Sequence, residues 1–499
     1  MYISGMFVDR NAVNPVRVGN CRATVSRIRG KSDPRAVEYF PEDRFFRIVR
    51  VTQRLRTIML NRHASSLSGE RLVPDKPRRG LMGFPSVPVP DPQITWKQAV
   101  DKPIEVPCAV YLHIPYCRSR CSFCNFYYGQ ASETEIADYA LLLEREIREW
   151  GPRIRGTVNA VYFGGGSPGI LTPEAIRRIL SAVRECVPLA NDVEITWETR
   201  VEDLDDARLE AVLAGGVNRF SVGVQTFDTA LRRALGRTSA KETVLKTLLR
   251  LAACNQAAVT VDLLYGLPGQ TPEMLTDDLD TVCRDVSLSG FSFYRLRAHA
   301  ESLLSERIRG RRMPSLPSGE ECFELYRLCG ERLAAAGARR ISFKHYAFGT
   351  RERNCYNSIS AWKLPCVPFG INAAGRLGEY RFKLTGTPEE YRRTVENGVK
   401  PLSFAGLMPE DYPAAARIAG ELSCRMMLHP AFVTGCVPEV LAASAAKRLE
   451  LSLESLVAEG LMMEKRYGGY QLTERGCFRC PEVAGRLMED LASVWNGGF

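Results

Sequence analysis

Cys117, Cys121 and Cys124 lie within eight residues of one another, in "CRSRCSFCNFYYG". Thiols packed this closely suit a metal. A structural zinc site wants a fourth ligand, usually from a second Cys or His pair, and none follows nearby. Cysteine thiolates are the usual ligands of iron–sulfur clusters. A C-x3-C-x2-C loop can wrap three corners of an iron–sulfur cube and leave the fourth iron open to a small chelating molecule.

Downstream, polar residues recur where they could hold such a molecule. "GGGSP" (164–168) offers a stretch without Cβ atoms that a ligand amine can approach. Glu198 can accept hydrogen bonds from an amine or a ribose. Gln225, Arg237 and Asp262 supply an amide, a cation for a carboxylate and an acceptor for hydroxyls.

The elements that must position these groups are regular from residue 109. Strand-like runs at 109–115, 160–166, 193–199, 219–225, 258–266 and 290–297 alternate with helix-like stretches near 134–150, 173–187, 205–214, 240–254 and 272–286. Thr172-Pro173 and Thr271-Pro272 read as N-cap plus first-turn proline. Apolar strands separated by helices imply a parallel sheet of βα units. The expectation is an α/β fold with an open, partial TIM-like (β/α)6 barrel, whose chemistry gathers at the C-terminal ends of the strands. The cysteines follow the first strand, "GGGSP" the second, Glu198 ends the third, Gln225 ends the fourth, and Asp262 lies within the fifth.

The expected domain plan is a basic extension (1–75), a lead-in (76–108), the barrel core (109–300), a completing segment rich in aromatics and arginines (301–400), and a mostly helical, winged-helix-like tail (401–499). Residues 1–80 carry seventeen Lys and Arg, nearly all arginines, against seven Asp and Glu, so the remaining 419 residues balance and the net charge of +10 sits in the head. Such a head reads either as a nucleic-acid or membrane-binding arm or as an appended segment of little function. The tail has no concentrated basic patch, which argues against DNA binding there. No nucleic-acid partner and no membrane insertion are expected. The first twenty residues lack a secretory core, so the sixteen cysteines are expected in a reducing cytoplasm. Cys477 and Cys480 read as incidental.

With these residues in view, the sequence resembles the radical S-adenosylmethionine (SAM) superfamily, and within it the oxygen-independent coproporphyrinogen oxidase group. The matching stretches are "YLHIPYCRSRCSFCNF", "VYFGGGSP", "GGVNRFSVGVQTFDTALRRALGR" and "VDLLYGLPGQTPE". The resemblance implies a 4Fe–4S cluster on Cys117, Cys121 and Cys124, with the open iron chelated by SAM. It implies reductive cleavage of a C–S bond to give a 5′-deoxyadenosyl radical. By carry-over, Tyr111, Gly165 and Glu198 face the cluster-bound SAM, and Phe123, Gly166, Ser167, Gln225, Arg237 and Asp262 line a second SAM site. The chain departs from the pattern with "ETR" after the third strand and "YRLR" at the sixth.

"FKHYAFGTRERNCYN" and "FGINAAGRLGEY" resemble the anaerobic haem-utilisation branch, of anaerobilin synthase type. That branch implies transfer of a SAM-derived methyl or methylene group to haem, ring opening and iron release, with a reductant such as flavodoxin or ferredoxin. The alternatives are coproporphyrinogen III oxidation and a haem chaperone of the same superfamily. Two propionates need cations, for which Arg351, Arg353 and Arg376 are candidates. A macrocycle needs aromatic walls, for which Tyr346, Tyr356, Trp362 and Phe369 are candidates. His345 is the candidate iron ligand among five histidines, with a structural role as its alternative, and His113 reads as structural.

Overall fold

In the computed structural model, residues 84–124, 127–299 and 301–496 are described; the basic extension lies outside them. Strand β1 (Val87–Pro88) precedes the six strands expected from the sequence: β2 (Ile104–Ile114), β3 (Gly156–Gly165), β4 (Leu189–Thr199), β5 (Arg219–Gln225), β6 (Ala258–Tyr265) and β7 (Gly290–Arg295). β2 to β7 pair in sequence order and in parallel, as βα units with a common crossover must. The helices between them start where the sequence placed them. Thr172 Oγ1 accepts the Ala175 amide at 3.2 Å, and Thr271 Oγ1 the Met274 amide at 3.3 Å.

The completing segment adds more than length. A hairpin of β8 (Arg339–Ser342) and β9 (His345–Ala347) runs antiparallel against β7. After the helix Cys355–Ala361, β10 (Cys366–Phe369) returns beside β2 and parallel to it, so the parallel strands number seven rather than the six read from the sequence. Four residues are too few to register as a strand by pattern alone. β11 (Ala374–Leu377), β12 (Tyr380–Leu384) and β13 (Leu402–Leu407) extend that edge as an antiparallel meander.

The parallel strands have two different faces. Val110, Leu112, Val161, Phe163, Ile195, Trp197, Phe220, Val222, Val261, Leu263, Phe291 and Phe293 form one buried apolar core with the flanking helices. Burial of this kind, worth about 1.5–3 kcal/mol per large side chain, holds the barrel wall. The alternate residues form the inner face, which is polar: Tyr111 and His113 on β2, Tyr162 on β3, Glu198 on β4, Arg219 and Ser221 on β5, Asp262 on β6, Ser292 on β7. Near the N-terminal ends that face carries small residues, Ala109 and Ala160. The helix Cys355–Ala361 packs into the room they leave, through Ile359 and Tyr356. The barrel thus has a filled floor at its N-terminal end.

In the tail, the helix Glu439–Ala458 leads into a three-stranded sheet of β14 (Met427–Leu428), β15 (Met462–Glu464) and β16 (Tyr470–Leu472). The helix and hairpin are those expected of a winged-helix-like unit. Cys477 and Cys480 are buried in its core, Cys480 with its thiol toward the Leu422 carbonyl.

Candidate functional site

The cysteine loop leaves the C-terminal end of β2 and is tied down along its length. Cys117 donates its amide to the Gly129 carbonyl at 3.1 Å, and Ser122 donates its amide to the Leu235 carbonyl at 3.0 Å. Arg200, just past β4, donates to the Ser119 carbonyl at 3.2 Å and to its hydroxyl at 3.0 Å. Asp203 accepts Arg118 at 3.0 Å and the Ser167 hydroxyl at 2.6 Å. Arg200 is the last residue of the "ETR" stretch. Its role in pinning the loop has no signature in spacing, because the contact spans some eighty residues.

Cys117 and Cys121 are buried and Cys124 is half-buried. Burial pushes the Cys117 thiol up to about 12, and the nearby Cys124 and Cys121 add to the rise. A buried thiol surrounded by thiols keeps its proton unless a metal displaces it. Among the described residues, no three His, Cys, Asp or Glu side chains converge on a single-ion site. Three cysteines on one loop are a donor set that fits an iron–sulfur cluster, whose usual ligands are thiolates.

The three glycines of "GGGSP" are demanded by the protein itself. A Cβ on Gly164 would lie 2.6 Å from Glu198 Oε2, and on Gly166 2.4 Å from the Tyr116 carbonyl. Gly165 has φ +108°, and a Cβ there would meet the His113 ring at 2.6–2.8 Å. The Cβ-free backbone makes room for the Glu198 carboxyl, the His113 ring and the chain entering the cysteine loop. Ser167 is fully buried and spends its hydroxyl on Asp203, so it braces the loop. His113, expected to be structural, has its Nδ1 2.9 Å from the Tyr111 hydroxyl, and burial lowers its pKa to about 4.

Glu198 sits beneath this turn. Burial first, and then the neighbouring Asp262, lift its pKa to about 8, against hydrogen bonds from Tyr162 and the Gly165 backbone. Asp262 is likewise raised by burial; its Oδ2 accepts Ser221 at 3.2 Å, while Oδ1 is buried with no hydrogen-bond partner. Arg237 is buried, donates through Nη1 to the Gly223 carbonyl at 3.2 Å, and leaves Nε without a hydrogen-bond partner. Gln225 ends β5 with φ 73°, a backbone strain of the kind found at ligand sites. Phe123 rests on the apolar cluster of Leu231, Leu235, Leu264, Leu267, Leu296 and Leu304. An unpaired acceptor, an unpaired donor and a strained amide at the strand ends fit a polar ligand with an amine, a carboxylate and hydroxyls. SAM carries all three.

The substrate residues expected in the completing segment are placed elsewhere. Arg351 donates to the Asn255 side chain and carbonyl, both at 2.6 Å, and Arg353 to the Asp192 carbonyl at 2.8 Å. Asn255 precedes β6 and Asp192 lies near the start of β4, so both arginines sit at the N-terminal end, away from the cysteine loop. Arg376 donates to the Leu364 carbonyl at 2.9 Å and the Ser360 carbonyl at 3.2 Å, also on that side. Tyr346 faces the outer core, stacked on Phe291 with its hydroxyl taking a bond from Arg340 at 2.8 Å. Trp362 packs on Gly420 beneath Arg417 and Arg425, and Phe369 is buried under Lys400. Tyr356 alone among these reaches the barrel interior, stacking on Tyr162 at 4.4 Å and Tyr111 at 5.9 Å.

His345 is inside the barrel but engaged on both sides. Its Nδ1 lies 2.8 Å from Ser292 Oγ, and its Nε2 3.0 Å from Glu352 Oε1. Glu352 in turn is held by Arg219 at 3.1 Å, both fully buried. An iron ligand needs a free nitrogen, and His345 has none. Arg219, Glu352 and Ser292 escaped sequence reading because each is an ordinary polar residue until the strands bring them together.

Comparison with known proteins agrees with this geometry. Residues 111–282 match the model of the radical SAM superfamily. An anaerobilin synthase of Escherichia coli O157:H7 is 36% identical over 344 residues, 68% of this chain and 76% of that protein. The heme chaperone HemW of Lactococcus lactis is 30% identical over 58% of this chain and 76% of its own. The solved coproporphyrinogen III oxidase of Escherichia coli shares the fold, with TM-score 0.69 and 22% identity over 81% of this chain and 96% of that one.

Proposed function

The chain belongs to the radical SAM superfamily, and from that premise we propose that it acts on haem without oxygen, transferring a SAM-derived one-carbon group to the macrocycle, opening the ring and releasing iron. The observation that carries the reading is the likeness to an anaerobilin synthase across three quarters of that protein, on a chain that keeps the three-cysteine loop. The family's cofactors are a 4Fe–4S cluster and SAM. When bound, they supply one-electron cleavage chemistry and a methyl group.

In this reading Cys117, Cys121 and Cys124 hold the cluster, and Arg200, Asp203 and Ser167 fix their loop. Glu198, Tyr111 and the Gly165 turn hold one SAM. Gln225, Arg237, Asp262 and Phe123 receive a second, with Gly166 and Ser167 shaping the wall rather than touching it. The tyrosine stack closes the floor and keeps water from below.

Haem lies over the C-terminal strand ends. There Lys344, whose amine stands 4.9 Å from the Tyr294 ring centroid and which makes no salt bridge among the described residues, replaces the three arginines as the propionate cation. A flavodoxin or ferredoxin is the fitting electron donor, and the cytoplasm the fitting place. Among the described residues, no helix is long and apolar enough to cross a membrane.

The test is to incubate the reconstituted, reduced protein anaerobically with SAM and either haem or coproporphyrinogen, and to weigh the products. An opened, carbon-enriched tetrapyrrole with free iron supports the reading. Two decarboxylations of coproporphyrinogen, or haem bound and returned intact, overturn it in favour of an oxidase or a chaperone.

A further inference from the structure

One side of the cysteine loop is rimmed by arginines that the proposed chemistry does not use. Residues 118–124, 229–237 and 301–313 hold nine arginines against two acids, Glu301 and Glu306. Hydrogen bonds set these three segments edge to edge. Ser122 donates its amide to the Leu235 carbonyl at 3.0 Å, and its own carbonyl accepts the Leu304 amide at 2.9 Å. Arg307 Nη1 donates to the Ala234 carbonyl at 3.0 Å. Beneath them, Phe123, Ile308 and Met313 pack on the small apolar core of Leu231, Leu235 and Leu304. The rim is one firm surface.

Several of the nine are already spent. Arg232 and Arg237 are buried, Arg118 is paired with Asp203 at 3.0 Å, and Arg312 with Glu306 at 2.7 Å. Arg120, Arg233 and Arg311 are exposed and make no salt bridge among the described residues. Arg120 lies over the Tyr127 ring, 5.5 Å from its centroid. Gly236 abuts the Arg120 carbonyl, where a Cβ would come within 3.1 Å, and its amide bonds the Arg233 carbonyl at 3.0 Å. Arg311 follows in the turn after Arg307, its amide bonded to the Ile308 carbonyl at 3.0 Å.

The chain leaving the loop on its other side has the opposite charge. Residues 131–144 hold four acids and neither Lys nor Arg, and Glu133 is exposed there. The loop is thus charged asymmetrically. Arg120 adjoins Cys121, with about 3.8 Å between successive Cα atoms, so a protein seated on Arg120 stands beside a cluster ligand. A surface of one sign attracts partners of the other and speeds their encounter.

We propose that Arg120, Arg233, Arg307 and Arg311 form the docking rim for an acidic single-electron carrier protein, which reduces the cluster through the cysteine loop. In this step one electron leaves the carrier and enters the cluster; no bond forms or breaks and no proton moves. The proposal rests on the reading that Cys117, Cys121 and Cys124 hold a cluster. It is independent of the substrate.

The test uses the full chain, anaerobically reconstituted and free of haem, with a reduced flavodoxin as the probe. Stopped-flow absorbance gives the second-order rate of cluster reduction at low and high salt. Arg120→Glu, Arg233→Glu and Arg311→Glu together should slow that rate about tenfold or more at low salt and remove most of its salt dependence. Iron content and photoreduction by a small deazaflavin should stay at wild-type values. Equal charge reversal at Arg155, Arg184 and Arg339, exposed near the N-terminal strand ends, should leave the rate within about twofold. Glu133→Lys should do the same or raise it.

An intact cluster reduced at equal rates in wild type and rim variant overturns the rim alone. An equal loss in the distant variant also overturns it, because net charge would then be the cause. Single-stranded RNA bound by wild type and lost in the rim variant, with the reduction rate unchanged, would give the rim to a nucleic acid instead. Wild type that takes up no iron overturns the cluster reading and the rim with it.

Discussion

At the C-terminal strand ends, Asp262 Oδ1 and Arg237 Nε are buried without hydrogen-bond partners and Gln225 is strained. At the floor, Glu352 is gripped by Arg219 and His345, Arg351 by Asn255, and Arg353 by Asp192. Both ends are rich in the residue types that bind ligands. What separates them is saturation by ion pairs: Arg219 Nη2 at the floor also lacks a hydrogen bond but is held to Glu352 at 3.1 Å, whereas neither Asp262 nor Arg237 forms a salt bridge among the described residues. Polar groups buried without partners cost about 1–3 kcal/mol each, and a fold retains them where a ligand supplies the partner. Groups already satisfied by the chain have nothing left to offer. Clustering of arginines and aromatics in sequence cannot reveal this, because partners are distant in sequence.

The largest expected effect breaks the top end outright. Cys117→Ala, Cys121→Ala or Cys124→Ala should each abolish the cluster and with it reductive cleavage of SAM, measured by iron content and by 5′-deoxyadenosine release. Wild type that binds no iron on anaerobic reconstitution would remove the basis of the comparison.

Next comes pH. Glu198 is lifted from 4.5 to about 8 in the fold, chiefly by burial. The folded chain then binds its proton more tightly than the unfolded chain does. The stability Glu198 contributes is complete below about 4.5, declines as pH rises, and is gone above about 8. At roughly 1.4 kcal/mol per unit the loss is at most about 5 kcal/mol. Thermal unfolding across that range should show a decline that Glu198→Gln flattens, and SAM, whose ammonium favours the carboxylate, should oppose it. A variant with the wild-type slope would show that Glu198 ionises freely.

At the floor, Glu352→Ala should cost about 3–5 kcal/mol in denaturant unfolding, since it strands the buried Arg219. At the strand ends, Asp262→Asn and Arg237→Ala should cost no more than about 1–2 kcal/mol, because each side chain gives the fold a single hydrogen bond, Ser221 to Asp262 and Arg237 to the Gly223 carbonyl. They should weaken SAM by about ten- to a hundredfold, the worth of a charge-assisted bond of about 1.5–3 kcal/mol. Equal stability losses at both ends would dissolve the distinction.

Much of the top end was legible in the sequence. Local signals did it: three cysteines in one loop, consecutive glycines, N-cap threonines, and strands that end on Glu198 and Gln225. The barrel followed from alternation, though the seventh parallel strand, Cys366–Phe369, did not, since its four residues gain strand geometry only from pairing with β2. The polar inner face was also hidden, because a single Glu198 or Asp262 in an apolar run carries no mark of its neighbours. Arg200 meets Ser119, and Arg219 meets Glu352, only across dozens of residues. His345 had the right chemistry for an iron ligand, and its two partners were invisible until the β8–β9 hairpin folded against Ser292.

The smallest expected effect is the sharpest test of saturation. Arg351 and Arg353 are exposed and make their contacts with Asn255 and Asp192 at the barrel's N-terminal end. Surface interactions of this kind are worth about 0–1 kcal/mol. Arg351→Ala and Arg353→Ala should therefore shift unfolding by less than about 1 kcal/mol and leave haem affinity within about twofold of wild type. Lys344→Ala, at the other end, should lower haem affinity by about tenfold, because its amine forms no salt bridge among the described residues that a propionate would have to displace. Haem titrations followed by absorbance distinguish the cases. If the arginine variants lose affinity and Lys344→Ala does not, haem enters from the floor, and the satisfied groups there would have to exchange partners to receive it.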